Sequence, residues 1–227
     1  MRLPRIPESD NTVGVIAIPV PDLAILVWPS IALVVGALFA MLVRRHEPEI
    51  PSAHVATGVL GAGGLVALDV WRLGATPEAL VLSAFAVIAT PLALIDLRMG
   101  KLPNWLVVLS YAVTLGALLA ATLWSAHPER LVRSLLGAAL FLLFYGALYM
   151  FLRGQLGGGD VKLAGVSGVV LGWQGWPTIV GGLLAIWLVG SLLYASETAV
   201  GHKRSMSGLP HGPAVLLGTV AAILIPS

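Results

Sequence analysis

The sequence predicts an all-α, polytopic membrane protein, and three observations carry that reading. Of its 227 residues, 58% are apolar and 11% charged, against roughly 25% charged in soluble domains. The mean hydropathy is +0.94 over the whole chain, too high for a soluble domain with a single anchor. The apolar residues also fall into eight runs, several close to the ~20 residues that a helix needs to cross the hydrocarbon core. Six to eight of these runs are expected to span the membrane.

Residues 1–23 read as a polar, proline-interrupted tail. Arg2 and Arg5 precede a weak apolar stretch broken by Pro19, Pro21 and Asp22, so no cleavable signal peptide is evident. A single helical membrane domain then occupies 24–227. Its first run, 24–43, ends at Arg44 and Arg45; the second, 53–71, carries Gly58, Gly61, Gly63 and Gly64 and closes on Trp71-Arg72. The third, 78–95, ends in Asp96, and the fourth, 105–125, restarts after Leu102-Pro103-Asn104. The fifth is 131–152; the sixth, 161–176, is short and glycine-rich; the seventh, 178–197, holds Gly181, Gly182 and Gly190. The eighth, 211–226, is again short and opens on Gly212-Pro213. The sixth and eighth are expected to be tilted, broken or partly re-entrant. Small residues let helix backbones approach in lipid, so the glycine stripes are read as packing.

Basic residues set the orientation. Arg44, Arg45, Arg98, Lys101, Arg153, Lys162, Lys203 and Arg204 lie on one side, and Arg2, Arg5, Arg72, Arg130 and Arg133 on the other. The first set is expected to be cytoplasmic, with both chain ends outside. The pI of 9.2 then marks loops and gives no reason to expect a nucleic-acid partner. The chain has no cysteine, which excludes disulfides, thiol nucleophiles and cysteine–zinc sites. The five histidines show no metal-ligand spacing, so neither a metal nor a cofactor is expected.

Three constellations could carry chemistry. Asp96 closes a membrane run and is followed by Arg98, Lys101 and Leu102-Pro103-Asn104. Pro103 suits a helix start, where its missing N–H costs little, and Asn104 suits the entry beside it. The bland reading is an interfacial acid paired with Arg98 or Lys101. Second, Gly157-Gly158-Gly159-Asp160-Val161-Lys162-Leu163 sets an acid and a lysine after a glycine run. Glycine admits backbone angles closed to other residues and lets another chain come close; the alternative is a flexible loop. Third, Leu209-Pro210-His211-Gly212-Pro213 makes a rigid turn into the last run. There His211 reads as a turn residue packed near the site rather than a base. Asp69, the other acid well inside an apolar run, reads as the partner of Arg72.

An ionisable group in a membrane helix is a functional-site hypothesis by default. Asp96 and Asp160 are expected at the same membrane face, and two carboxyls brought together share a proton and can activate water.

These motifs, in this order, resemble the prepilin peptidases, or type IV leader peptidases, which are GxGD-type intramembrane aspartyl proteases. The resemblance covers roughly residues 78–226. It implies that Asp96 and Asp160 are the catalytic pair and that Gly157 and Gly159 are the motif glycines. It also implies that Lys162 is an electrostatic neighbour of Asp160, with Pro103, Asn104, Pro210, Gly212 and Pro213 supporting the site. The implied substrate is a prepilin or pseudopilin, whose short basic leader precedes an apolar helix. The cut would fall at the cytoplasmic face of the bacterial inner membrane, with lipid as the other partner. Glu47 and Glu49, on that side, could receive the leader, or could form an ordinary solvated loop. The glycine loop at 154–159 would let Asp160 approach only with substrate bound.

Two departures stand out. The larger, bifunctional members carry a cytoplasmic loop with paired cysteines linked to zinc and N-methylation; here the loop at 44–52 is short and cysteine is absent, so methyltransferase activity is not expected. Many members have an aromatic residue where this sequence has His211. The compact length and the triple glycine look most like the peptidases of tight-adherence, Flp-type pili. From other classes, a small proton-coupled transporter could use the same two acids, but no second polar cluster or inverted repeat supports one. A non-catalytic scaffold would leave both acid motifs unexplained.

Overall fold

The computed structural model describes residues 23–49, 51–99, 103–151, 156–199 and 211–224, the side chains of 23–26, 97–99 and 197–198 excepted. Among them every regular element is a helix: α1 (Leu23–His46), α2 (Ser52–Leu73), α3 (Pro77–Met99), α4 (Asn104–Ser125), α5 (Pro128–Phe151), α6 (Gly158–Gln174), α7 (Trp176–Ala199) and α8 (Gly212–Leu224). Each apolar run centres on one helix, and several helices reach on into polar ends; the sixth, read as 161–176, overruns α6, which stops at Gln174, and Trp176 opens α7. Arg44, Arg45 and His46 complete α1 and Arg72 lies in the last turn of α2, where cations complement the helix dipole. The tail over 1–22 and the basic residues Lys101, Arg153, Lys203 and Arg204 lie outside the described residues.

Six helices, α1 to α5 and α7, are long and apolar enough to cross a membrane. The chain is a multi-pass membrane protein. Leu38, Met41, Leu123, Leu143, Phe151, Leu184 and Leu188 stand exposed on the outer helices, as a lipid-facing surface requires. The two short runs behave differently. From Leu163 to Trp173 every residue of α6 is buried, so this 17-residue helix is the hub of the bundle. It packs against α3, α4, α5, α7 and α8. A helix apolar on all sides is one enclosed by other helices.

Close backbone approach makes that enclosure possible. A methyl group on Gly137 of α5 would fall on the carbonyl oxygen of Gly168 in α6, and one on Gly168 would fall on that of Gly137. A Cβ on Gly172 would stand 2.6 Å from Cα of Ser134. The glycine stripes of α2 and α7 divide. Gly58 lies against Pro91, Gly63 against Leu33 and Gly182 against Leu171, whereas Gly64 and Gly181 face open space. Those two are not packing residues.

At the end of the bundle away from Asp96, two arginines do more than mark topology. Arg133 donates from Nε to the carbonyl of Gly172 at 2.6 Å and from Nη2 to that of Trp173 at 2.7 Å. It thus caps carbonyls that the end of α6 leaves without helical partners. Arg130 pairs with Glu78 at the start of α3, and its guanidinium lies 5.4 Å from the ring centroid of Trp173. Asp69 and Arg72 make no direct ion pair among the described residues, but Asp69 lies within range of the Arg72 charge. The acid also borders a small cavity of about 30 Å³ with Leu68, Leu82, Phe85 and Val220, and Arg72 is exposed.

Candidate active site

Asp96 occupies the end of α3 and is 4% exposed. Its Oδ2 accepts a hydrogen bond from the backbone N–H of Gly212 at 2.9 Å. Gly212 opens α8, and the first amides of a helix have no partner of their own, so they suit an acidic oxygen. A Cβ on Gly212 would stand 2.7 Å from that oxygen and 3.0 Å from the Cβ of Asp96. The turn therefore needs glycine for space. Pro213 follows in the first turn of α8, where its missing N–H leaves no helical bond unmade.

Asp160 is the third residue of α6 and is 7% exposed. Its Oδ2 accepts the N–H of Gly157 at 3.0 Å, the reaching-back half of a capping box. The glycine run is thus a helix start rather than a flexible loop: Gly157 caps α6, and Gly158 and Gly159 form its first turn. Unusual backbone angles are not the reason for the glycines. Gly157 sits at φ −79°, ψ 143°, open to any residue. The reason at Gly157 is room, since a Cβ there would lie 3.0 Å from Oδ2 of Asp160.

The two acids meet at one end of the bundle, where Asp160 lies within range of the charge of Asp96. They are the two charged residues that are buried among those described. Neither takes part in an ion pair there; the side chain of Arg98 and all of Lys101 lie outside the described residues, as does Pro210.

Lys162 is not the charge partner of Asp160. Its Nζ donates to Oδ1 of Asn104 at 2.7 Å, and its carbonyl accepts from Tyr111 Oη at 2.8 Å. Both contacts hook the first turn of α6 to α4. Asn104 therefore binds a helix partner instead of ordering its own entry. Pro103 holds the cap position without a side-chain bond. Next along α4, Trp105 Nε1 donates to Oε1 of Glu47 at 3.4 Å, and its ring lies 5.3 Å from that of His46. This brings the loop after α1 to the same end.

Sequence reasoning missed Tyr145. It is 2% exposed, packs with Leu156 and Leu163 on either side of Asp160, and lies within range of that carboxyl's charge. In an apolar run holding Phe141, Phe144 and Tyr149, nothing local distinguishes it. His211 shares a cavity with Tyr145, and burial holds its imidazole below the ordinary histidine value. Among the described residues no three His, Asp or Glu side chains gather as a metal site. Two buried carboxyls, each fixed at one oxygen by a backbone amide, can perform acid–base chemistry.

Residues 80–200 match the Type IV leader peptidase family. That span contains both aspartates and ends before Gly212. The chain is similar to a prepilin leader peptidase/N-methyltransferase of Burkholderia pseudomallei (strain 1026b), 32% identical over 180 residues, which cover 76% of this chain and 53% of that protein. It is also similar to a protein of the same name in Bacillus subtilis (strain 168), 28% identical over 174 residues, covering 77% of this chain and 65% of that one. The chain thus spans about half to two thirds of the length of these relatives. No solved structure matches it.

Proposed function

This chain belongs to the Type IV leader peptidase family, and from that premise we propose that it is an intramembrane aspartic endopeptidase that removes the leader from prepilins. The observation that carries the reading is the meeting of Asp96 and Asp160, the two buried charged residues among those described, at one end of the bundle. Two neighbouring carboxyls cannot both ionise cheaply, so they hold one proton between them. The ionised carboxylate takes a proton from water as the water oxygen attacks the scissile carbonyl carbon. The neutral carboxyl gives its proton to the carbonyl oxygen, forming a tetrahedral diol. On collapse of the diol the C–N bond breaks: the carboxyl that took the water's proton gives it to the leaving nitrogen, and the other carboxylate takes a proton from a diol hydroxyl as the new carboxyl C=O forms, so the pair again holds one proton. The two roles belong to the pair rather than to either residue.

The finer reading places the site at the cytoplasmic face of the inner membrane and makes an Flp-like pilin the substrate. The basic-residue bias supports the first, and the triple glycine Gly157-Gly158-Gly159 with the compact length supports the second. Because the chain has no cysteine, we assign it leader cleavage without methyl transfer. The test is cleavage of a co-expressed Flp-type precursor, read by mass, with wild type, Asp96→Asn and Asp160→Asn. Cleavage by wild type and its loss in both variants at normal membrane levels is the expected result. Persistent cleavage in either removes that residue from the mechanism, and a methylated mature N-terminus made by this chain alone overturns the assignment of cleavage only.

A further inference from the structure

Beside the two acids, α5, α7 and the turn into α8 enclose a cavity of about 140 Å³. Tyr145 forms its wall on the side of Asp160. His211, next to the glycine that holds Asp96, forms its wall on the side of the other acid. The remaining lining comes from α7, chiefly Ile186, Trp187 and Gly190. Gly190 and Ser191 hollow that helix, and the Ser191 hydroxyl is turned onto the carbonyl of Trp187. The cavity is therefore apolar and aromatic in its body, with tyrosine and histidine at its inner end, the usual make-up of a small-ligand site. Burial favours the neutral form of His211, so the inner end does not demand an acidic occupant. The larger cleft of about 200 Å³ runs between α1, α2, α3 and α4 along Leu80, Ser83 and Val113, and neither Tyr145 nor His211 lines it.

Size decides what fits. A dry apolar cavity of about 150 Å³ accepts a benzene molecule, so this one matches a single phenyl ring or a leucine-sized group. A helix or a run of several residues is too large. We propose that this cavity is a specificity subsite that takes one bulky apolar side chain of the substrate, belonging to a residue beside the scissile bond. The proposal rests on the peptidase reading and adds the determinant of which bond is cut. Because the cavity is lined by Tyr145, within range of the Asp160 charge, and by His211, next to the glycine bonded to Asp96, a side chain seated there would bring the neighbouring peptide bond toward the carboxyl pair. Positioning of this kind is worth orders of magnitude in rate.

Gly190 offers a direct test. Gly190 lines the cavity, and a Cβ there would lie 3.6 Å from Cβ of Ala214, an ordinary contact, so a leucine is tolerated by the backbone and adds bulk at the cavity. Gly181, on the same helix, has nothing within 4 Å and serves as control. The full chain in lipid is given a pilin precursor and variants with alanine at each of the three positions on either side of the cut. One alanine substitution is expected to raise KM at least tenfold for wild type. Gly190→Leu is expected to raise KM to a similar degree for the unmodified precursor and to change it less than twofold for that same alanine variant. Gly181→Leu should behave as wild type. Equal losses on every precursor, or no loss with Gly190→Leu, would overturn the subsite while leaving the peptidase reading intact. Failure of wild type to cut any precursor would overturn both.

Discussion

Gly212 and Asp96 lie 116 residues apart in the chain, yet the amide of one donates to the carboxylate of the other at 2.9 Å. The contact joins the last helix to the end of the third and leaves no volume for a side chain. Gly212→Ala should therefore displace Asp96 or α8. A misplacement of about 1 Å can cost on the order of 100-fold in rate, so precursor cleavage should fall by at least about tenfold at unchanged membrane level. Gly158→Ala is the matched control, because a Cβ there meets nothing within 4 Å. Its rate should stay within about twofold of wild type, as for a substitution away from packed features.

The hook of Lys162 on Asn104 separates position from charge. If the lysine acts through the helix contact, Lys162→Met and Asn104→Ala each lower kcat by a similar, several-fold amount. The double variant then loses little more than either, as expected for residues sharing one interaction. The pH profile stays in place. A shift of that profile with Lys162→Met alone would return the lysine to the role of charge partner for Asp160.

At the opposite end, Arg133 holds two carbonyls of α6. Arg133→Met leaves them unpaired, and hydrogen bonds involving a charged group contribute about 1.5–3 kcal/mol. Thermal unfolding in detergent should shift downward by an amount of that order, with KM for the precursor unchanged. An unchanged Tm would show that Arg133 is replaceable as a cap.

His211 supplies a pH dependence whose sign follows from burial. Its pKa is lowered in the folded chain, so the unfolded chain binds the extra proton first as pH falls. The stabilising contribution is complete above the unfolded value of 6.5 and is lost as pH falls from there toward the folded value. Tyr145 and Tyr194 share the cavity with this imidazole, and Asp96 lies one residue away through Gly212. His211→Gln should flatten the fall in Tm below about pH 6.5 and retain cleavage at pH 7.5. A fall in kcat at pH 7.5 with KM unchanged would place the imidazole in the chemistry, whereas a raised KM would belong to the cavity it lines.

The helices were legible because apolar runs of membrane length leave few alternatives: all eight runs hold a helix. The juxtaposition of Asp96 and Asp160 at one end also follows from counting those runs. The sequence did not show how α6 sits. A short, glycine-rich run looks tilted or re-entrant on its own, and only the close approach of Gly137 and Ser134 of α5 explains why it can be enclosed. The partners of Lys162 were equally hidden. Asn104 is 58 residues away and Tyr111 is 51, and no local pattern marks such a contact. Tyr145 is hidden for another reason: an aromatic residue in a membrane run looks the same whether it faces lipid or a carboxyl.

The enclosure of α6 has a consequence for biogenesis. A nascent chain that ends at Gln174 has made α3, α4 and α5 but lacks α7 and α8, which cover the remaining sides of the hub. At that stage α6, with its buried acid, already has α5, its main partner, but lacks the two helices that complete its enclosure. Its enclosure is completed only when α7 and α8 arrive. Because α8 also brings the amide that holds Asp96, that carboxyl gains its setting only once α8 has been made, whereas Asp160 has its partner Gly157 within its own segment.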